Sequence, residues 1–373
     1  MRRLTGCCGI IRSAPMRVRH VIADTAERTR IVTVEILSTK YFPDAWLDRL
    51  RAVAPDLRVT QHFTDNADDI APEVWGRVEI LYGWKALPDP AVAPKLRWIQ
   101  LDTAGFDHVL ATPYGRPESQ VVVTNLAGVA PPNMAEHALL MMLAFAHRLP
   151  LLARQQAARL WGSEMERRAH VTPSELLGAT VGVIGYGAIG REIGRIAHAF
   201  GMRVLAVAPS EASLLPKPMT YQIPQLVDLP GKAPDAFYTP DQLLEMLPQC
   251  DYVVLVVPHS AATHHMFGAA AFAAMKPGAV LVNIARGGVV DEAALIEALE
   301  SGRLGGAALD VFEHEPLTPD SPLWAMENVI ISPHIAGLTS RYFEVVFDLF
   351  STNIRRYLAG EPLINQVLPR KAE

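Results

Sequence analysis

The sequence predicts an α/β fold with two doubly wound, mainly parallel sheets, and three observations lead to this fold class. Short apolar runs alternate with helical patterns from residue 31 almost to the end of the 373-residue chain, which is typical of repeated βα units. A glycine-rich stretch at 185–190 follows one apolar run and opens a helical pattern. Arg286, Glu315 and His334 stand in loops after further apolar runs. Ligands bind at the carboxyl edge of such sheets, so these residues are expected at a functional edge.

The first predicted sheet has five short strands, at 31–37, 57–61, 78–82, 97–101 and 121–124. Helix-like segments lie between them, such as 43–54, which opens with a proline that suits a first helical turn. A long apolar helix is predicted at 134–146 with Asn133 as its cap, and a helical pattern continues at 151–160. We interpret these two helices as the connector between two domains.

The second predicted sheet has six strands that are nearly continuous in Val, Ile, Leu and Ala, as expected for strands covered on both faces. They are at 180–184, 203–208, 252–257, 280–284, 307–312 and 329–332. A last long helix is predicted at 340–358 and ends at Gly360. We expect this helix to pack on the first sheet, which would build the first domain from both ends of the chain.

The glycine-rich stretch has the spacing G-x-G-x-x-G, with a strand before it and an amphipathic helix after it, and this context favours a dinucleotide site. Gly185 allows the tight turn, Gly187 lets the backbone approach a pyrophosphate, and Gly190 permits close packing of helix on sheet. The helix that starts at Ala188 and Ile189 offers free amides and a positive dipole end to the phosphates. The second sheet is therefore predicted to be a Rossmann dinucleotide-binding domain.

The predicted domains follow from these elements. Residues 133–334 are assigned to the NAD(P)-binding Rossmann domain, and residues 31–132 with 335–373 to a flavodoxin-like α/β substrate domain. Residues 1–30 are rich in arginine, and we interpret them as a disordered tail or an upstream extension rather than a transit peptide. The stretch at about 209–240 holds seven prolines and no clear period, and we interpret it as an insertion beside the adenosine end of the cofactor.

The end of the second Rossmann strand bears on cofactor choice. An acidic residue that hydrogen-bonds the adenosine ribose is expected there, but Ala208, Pro209 and Ser210 occupy these positions and no arginine appears nearby. An absent carboxylate removes the penalty against a 2′-phosphate, while Ser210 and Lys217 offer a hydrogen bond and a charge. We therefore predict an NAD(P) cofactor, with NADP(H) accepted or even preferred and NAD(H) also used.

Four segments, taken in order, resemble the D-isomer-specific 2-hydroxyacid dehydrogenase family over about residues 31–368: 176–190, 283–291, 309–317 and 332–337. The resemblance implies that Arg286 binds the substrate carboxylate and carbonyl, that Glu315 tunes the histidine, and that His334 carries the proton. It also implies that Asp310 holds the carboxamide end of the nicotinamide, and that Ala104 and Gly105 offer backbone N–H groups to the substrate carboxylate. Within the family, the sequence is most similar in type to glyoxylate/hydroxypyruvate reductases.

The chemistry of these side chains agrees with the resemblance. A planar guanidinium can hydrogen-bond the carboxylate and carbonyl of a 2-keto acid together. Hydride arriving at the carbonyl carbon leaves charge on oxygen, which an imidazolium beside a carboxylate can protonate.

The predicted sites extend beyond the three catalytic residues. The cofactor set is Gly185, Gly187, Ala188, Ile189, Gly190, Ser210, Val257, Pro258, Ala285, Asp310, His334 and Gly337, and the substrate set is Ala104, Gly105, Arg286 and Tyr82. Tyr82 belongs to a group of aromatic residues after first-domain strands, with Tyr41, Phe42 and Trp84, for which core packing is an equal alternative.

Other features exclude several function classes. The net charge of −5 argues against nucleic-acid or membrane-surface partners. Cys7 and Cys8 are adjacent and Cys250 is far away, so the three cysteines form no disulfide framework, which favours a reducing cytoplasmic location. We predict no metal, because nothing completes a site around His259, His264 and His265. Glu136 and His137 are interpreted as a helix-face pair rather than a catalytic dyad. The partners expected are a small-molecule acid and a second copy of the chain in a homodimer. A dinucleotide-sensing corepressor-like protein is the alternative function.

Overall fold

Two twisted sheets with helices against both faces form the framework of the computed structural model, which describes residues 33–227 and 233–368. The strands are β1 (Val34–Ser38), β2 (Leu57–Gln61), β3 (Ile80–Gly83), β4 (Trp98–Leu101), β5 (Val122–Thr124), β6 (Thr180–Ile184), β7 (Arg203–Val207), β8 (Ala236–Tyr238), β9 (Tyr252–Leu255), β10 (Val280–Asn283), β11 (Gly306–Leu309), β12 (Val329–Ile331) and β13 (Gln366–Leu368).

The helices connect these strands and mostly cover the sheets. They are α1 (Asp44–Arg51), α2 (Pro72–Trp75), α3 (Asp107–Leu110), α4 (Pro131–Ala146), α5 (Leu149–Ala157), α6 (Glu164–Glu166), α7 (Ala188–Ala199), α8 (Pro224–Val227), α9 (Leu243–Met246), α10 (Ala269–Ala274), α11 (Glu292–Glu300) and α12 (Tyr342–Leu358). Single 3₁₀ turns lie at Ala67–Asp69, Pro113–Gly115, Glu211–Leu214, Pro240–Gln242, Leu247–Gln249, Gly287–Val289 and Pro322–Ala325, and a π turn at Arg167–Val171.

The first sheet has the strand order β13-β5-β4-β3-β1-β2. β1 to β5 pair in parallel, and β13 pairs antiparallel with β5. The parallel part has the 2-1-3-4-5 order of flavodoxin-like folds. Apolar residues of α12, including Val346, Leu349 and Ile354, are buried in the core of this sheet. The prediction of a flavodoxin-like domain built from both ends of the chain is confirmed.

The second sheet is entirely parallel, with the order β12-β11-β10-β9-β6-β7-β8. Hydrophobic clusters fill both of its faces, which explains why its strands are continuously apolar. The order reverses between β6 and β9, and the glycine-rich stretch follows β6 at this switch point. The predicted doubly wound Rossmann fold is confirmed.

Local details differ from the sequence-based expectations. α4 begins at Pro131, and Ala130 is its N-cap residue, because two prolines suit the first helical turn. The predicted cap, Asn133, lies inside the helix, and its amide donates instead to the carbonyls of Ala336 and Leu338. β9 and β11 end two and three residues earlier than predicted, since the chain leaves the sheet for the functional loops. The short strand β13 was not predicted.

The proline-rich stretch at 209–240 is not a simple insertion at the adenosine end. Residues 236–238 form β8, which pairs in parallel with β7 and extends the Rossmann sheet. Tyr221 and Ile223 are buried in the hydrophobic core of the first domain. The Tyr221 hydroxyl donates to Asp348 Oδ2 at 2.8 Å, and its amide donates to Asn365 Oδ1 at 2.8 Å. The segment therefore spans from the cofactor domain to the first domain. Residues 228–232 and the predicted tail at 1–30 lie outside the described residues.

Candidate active site between the two sheets

The three predicted catalytic residues meet at the carboxyl ends of neighbouring strands. Arg286 follows β10, Glu315 lies in the loop after β11, and His334 follows β12. His334 Nδ1 is 2.7 Å from Glu315 Oε2, and Glu315 Oε1 accepts the Phe312 amide at 3.1 Å. The carboxylate is thus fixed by its own loop and holds the imidazole through Nδ1. This arrangement leaves Nε2 of His334 for proton exchange with a substrate.

Arg286 links the second domain to the substrate loop of the first. The half-buried side chain anchors Nη1 on the Ala285 carbonyl at 2.7 Å. Its Nη2 lies against Gly105, where an added Cβ would approach to 2.2 Å. Any side chain at position 105 would therefore displace the guanidinium. The Arg286 guanidinium and the backbone of residues 104–105 thus lie next to each other.

The loop of Ala104 and Gly105 is held so that its amides remain available. Asn125 donates to the Ala104 carbonyl at 2.5 Å, and the Thr103 hydroxyl donates to the Gly105 carbonyl at 2.7 Å. In the part of the chain that the structure describes, neither amide nitrogen has a protein acceptor. Beside this loop, burial raises the pKa of Asp102 to about 6, although the Lys40 charge acts in the opposite direction.

Tyr82 does not line the cleft, contrary to expectation. Its side chain is fully buried, its hydroxyl is 2.9 Å from that of Tyr342, and its ring packs edge-on against Phe42. Burial raises the pKa of the Tyr82 phenol well above its ordinary value. Tyr82 lies within β3 and its ring is buried in the hydrophobic core of the first domain, so a substrate contact is not supported. Trp84, one residue beyond β3, is only half-buried and lies under the ammonium groups of Lys40 and Lys85.

The glycine-rich stretch forms a cradle at the start of α7. Gly185 has a φ of +99°, and an added Cβ would lie 2.8 Å from the Val256 carbonyl oxygen. At Gly190 an added Cβ would lie 2.2 Å from the Gly185 carbonyl oxygen, so only glycine lets α7 approach the turn. Space is open beside Gly187, the N-cap residue that precedes Ala188 and Ile189. These features fit a pyrophosphate at the helix N-terminus.

The region predicted to face the adenosine contains a cation that the sequence analysis did not indicate. Ala208 is buried and cannot present a side chain to a ribose, whereas Ser210 is exposed, with its hydroxyl 3.0 Å from that of Ser213. The Arg191 guanidinium, from the first turn of α7, donates to the Leu215 carbonyl at 3.3 Å. An arginine therefore does lie beside this segment. The position of Arg191 in the sequence does not predict this contact, because the contact forms only when the loop that ends at Leu215 folds back over α7.

Asp310, predicted to lie at the nicotinamide end, is almost completely buried. Its Oδ1 accepts from the Ser332 hydroxyl at 2.6 Å and the Ile335 amide at 2.9 Å, and its Oδ2 accepts from the Ala336 amide at 2.9 Å. The other residues predicted here vary in exposure: Val257 is half-buried, Pro258 and Gly337 are exposed, and Ala285 is buried. Asp310 thus contacts the backbone that carries His334.

A group of histidines lines the same cleft as Arg286, Glu315 and His334. His259 Nε2 is 3.3 Å from His264 Nδ1, the rings of His264 and His265 stack, and His265 pairs with Glu313 at 2.7 Å. Among the described residues, no group of three or more histidine, cysteine or acidic side chains has the arrangement that a metal ion needs. None of the described helices is long and apolar enough to cross a membrane.

A Rossmann cradle, a histidine and carboxylate pair, and an arginine that reaches a second α/β domain define a nicotinamide-dependent two-domain dehydrogenase fold. The chain belongs to the D-isomer-specific 2-hydroxyacid dehydrogenase family. Residues 139–336 match the model of the family's NAD-binding domain. The resemblance predicted from the four sequence segments is confirmed.

Individual relatives agree with this assignment. The chain is 32% identical over 280 residues to a glyoxylate reductase of Korarchaeum cryptofilum, covering 74% of this chain and 77% of that protein. It is 37% identical over 248 residues to a D-3-phosphoglycerate dehydrogenase of Archaeoglobus fulgidus, covering 66% of this chain but only 43% of that longer relative. A D-isomer-specific 2-hydroxyacid dehydrogenase of Xanthobacter autotrophicus, solved with NADPH, is 30% identical with a TM-score of 0.72, covering 91% of this chain and 99% of that one.

Proposed function

We propose that this protein is an NAD(P)-dependent oxidoreductase that interconverts 2-keto acids and D-2-hydroxy acids. The observation that carries the proposal is the 2.7 Å contact between His334 and Glu315 next to an arginine pressed against Gly105. The alternative of a dinucleotide-sensing corepressor gains no support, since the relatives reported above are named as a reductase and dehydrogenases.

Each residue would contribute a distinct step. The amides of Ala104 and Gly105 and the guanidinium of Arg286 bind the substrate carboxylate, and Arg286 also orients the adjacent carbonyl. The bound nicotinamide supplies or accepts the hydride. His334 gives a proton from Nε2 to the carbonyl oxygen during reduction and takes it back during oxidation. Glu315 keeps the Nδ1 proton in place and stabilises the charged ring.

A panel of 2-keto acids tests this function directly. Glyoxylate, hydroxypyruvate, pyruvate and phenylpyruvate would be assayed with NADPH and with NADH, and the absorbance of the reduced nicotinamide followed. We expect turnover of glyoxylate or hydroxypyruvate, because the Korarchaeum relative is named a glyoxylate reductase and hydroxypyruvate is a 2-keto acid of similar size. Turnover of none of the four acids with either cofactor would contradict the proposal.

We also propose that NADP(H) is accepted. The Arg191 guanidinium contacts the segment that follows Ser210, no carboxylate ends β7, and the Xanthobacter relative was solved with NADPH. Because Ala208 is buried, the exposed Ser210 is the better position for an acidic side chain. Ser210→Asp should weaken NADPH binding at least about tenfold relative to NADH, through repulsion of the 2′-phosphate. Tight binding of NADH with no binding of NADPH by the wild-type protein would contradict this idea.

A homodimer is proposed through the face formed by α4 and the segment after it. These elements expose several large apolar side chains: Leu140, Leu149, Leu152, Leu160, Trp161 and Met165. Grouped exposed apolar side chains are typical of a protein interface, and we propose that a two-fold contact between identical chains covers them. Leu149→Asp should dissociate the dimer, whereas Leu244→Asp, at an equally exposed leucine on α9, should not. Light scattering of the wild-type protein near 40.8 kDa would contradict the proposal.

A further inference from the structure

Helix α4 touches the chain segment that carries His334 at two places. Asn133 and His137 are one helical turn apart and therefore lie on the same face of α4. Asn133 donates to the carbonyls of Ala336 and Leu338, just beyond His334. His137 Nε2 is 3.2 Å from the Ser332 hydroxyl, two residues before His334. The helix thus brackets the segment on both sides of the proposed proton carrier.

Two hydrogen bonds connect His137 through Ser332 to Asp310, and the donor and acceptor of each can be assigned. Ser332 has one hydroxyl proton, which it donates to the Asp310 carboxylate in a hydrogen bond of 2.6 Å. The Ser332 oxygen can then only accept from His137, which requires a proton on Nε2 of that ring. Burial lowers the pKa of His137, although the Asp310 charge acts in the opposite direction, and this favours the neutral ring.

Asp310 in turn holds the turn that presents His334. His334 has a φ of +54°, a left-handed conformation that costs energy for any residue except glycine. The side-chain carboxylate of Asp310 accepts hydrogen bonds from the amides of Ile335 and Ala336. The backbone carbonyl of Asp310 accepts a hydrogen bond from the amide of His334 at 2.8 Å. Three consecutive amides are thereby tied to one residue, which can offset the strain and fix the direction of the imidazole.

We propose that His137 and Ser332 are positioning residues for the reaction of His334. They orient the Asp310 carboxylate, which locks the 333–337 turn, and they take no part in proton transfer or in binding the substrate. This inference rests on the function proposed above, because that function makes His334 the residue that transfers the proton. It replaces the interpretation of Glu136 and His137 as a helix-face pair: Glu136 is exposed, whereas His137 is directed to Ser332.

The first test measures the turn without any catalysis. Amide hydrogen exchange of Ile335 and Ala336 would be followed in the full-length, cofactor-free protein. Ser332→Ala and His137→Leu should speed exchange of these two amides at least about tenfold while amides of β6 stay unchanged. Ser332→Thr keeps the hydroxyl, and His137→Gln keeps a donor near the same position, so both should retain slow exchange. Glu136→Ala is the matched control on α4.

The second test measures the catalytic consequence. Ser332→Ala should lower kcat about tenfold, because a displacement of about 1 Å in a reacting group can cost up to ~100-fold. KM and the dissociation constant of the cofactor should stay within about twofold, and Ser332→Thr should restore kcat. A general loss of folding would instead lower the melting temperature and affect both substitutions. Ser332→Ala removes only the side-chain hydroxyl and should fold. This variant therefore tests the positioning role even if His137→Leu does not fold.

Two results would overturn the inference. One is unchanged exchange of Ile335 and Ala336 in Ser332→Ala. The other is a loss of kcat in Ser332→Ala that Ser332→Thr does not restore. If the wild-type protein reduces no 2-keto acid, the proposed function fails, yet the exchange experiment still decides whether α4 holds the turn.

Discussion

Replacing Glu315 by glutamine tests the proposal that the charge of Glu315 stabilises the imidazolium of His334 in the reaction. Glutamine has nearly the same shape, so its carbonyl oxygen can still accept a hydrogen bond from His334 Nδ1, the nitrogen that lies 2.7 Å from Glu315 Oε2. The substitution converts a charge-assisted hydrogen bond, worth about 1.5–3 kcal/mol, into a neutral one worth about 0.5–1.5 kcal/mol. The two side chains are 50% and 36% exposed, so solvent screening places the loss near the lower end, at about 1 kcal/mol.

A loss of about 1 kcal/mol in the transition state corresponds to about a fivefold decrease in rate. The oxidation of a D-2-hydroxy acid is the appropriate assay, because His334 gains its charge during that reaction. We would measure kcat at saturating cofactor by the absorbance of the nicotinamide formed, together with the melting temperature of each variant. The decrease in kcat should appear without a decrease in thermal stability.

Glu313→Gln is the matched control for this experiment. Glu313 lies two residues from Glu315 in the same loop, but it pairs with His265 at 2.7 Å and not with His334. Its substitution should leave kcat within about twofold. The reasoning is refuted if Glu315→Gln keeps the wild-type rate, or if Glu313→Gln lowers the rate equally.

Three further predictions concern other parts of the molecule. His334→Ala should lower kcat by ~10²–10⁴ with little change in cofactor affinity, measured by fluorescence titration; a wild-type rate at neutral pH would exclude the assigned role. Arg286→Lys should raise KM for 2-keto acids and lower kcat, because an ammonium cannot form two parallel hydrogen bonds; unchanged constants would exclude the carboxylate-binding role. Tyr221→Phe, which removes the hydrogen bond to Asp348, should lower the free energy of unfolding by about 1 kcal/mol in urea titrations, and no change would show that this link between the domains is not stabilising.

The sequence by itself determined the fold class and indicated the three residues that we propose to be catalytic. Continuous apolar runs separated by helical patterns predict a parallel sheet, because both faces of such a sheet are covered. The spacing of Gly185, Gly187 and Gly190 is a local property of one turn, since each glycine acts through its own backbone. The order of Arg286, Glu315 and His334 after successive strands brings them to one edge, which follows from parallel topology alone.

Other features were decided only by tertiary structure. Tyr82 faces the core because α12, far along the chain, brings Tyr342 and Phe350 against it. Arg191 meets the segment after β7 because the part ending at Leu215 folds over α7. The strands β8 and β13 could not be predicted from the sequence, because each is only three residues long and depends on pairing with a neighbouring strand.

The contact between His137 and Ser332 is the clearest case of this second kind. The two residues are 195 positions apart, and neither lies in a motif that predicts the other. Hydrophobic periodicity records which face of a helix is buried, but not which polar partner a buried histidine meets. That partner is set by how α4 packs against the loop after β12, and this packing is a property of the whole folded chain.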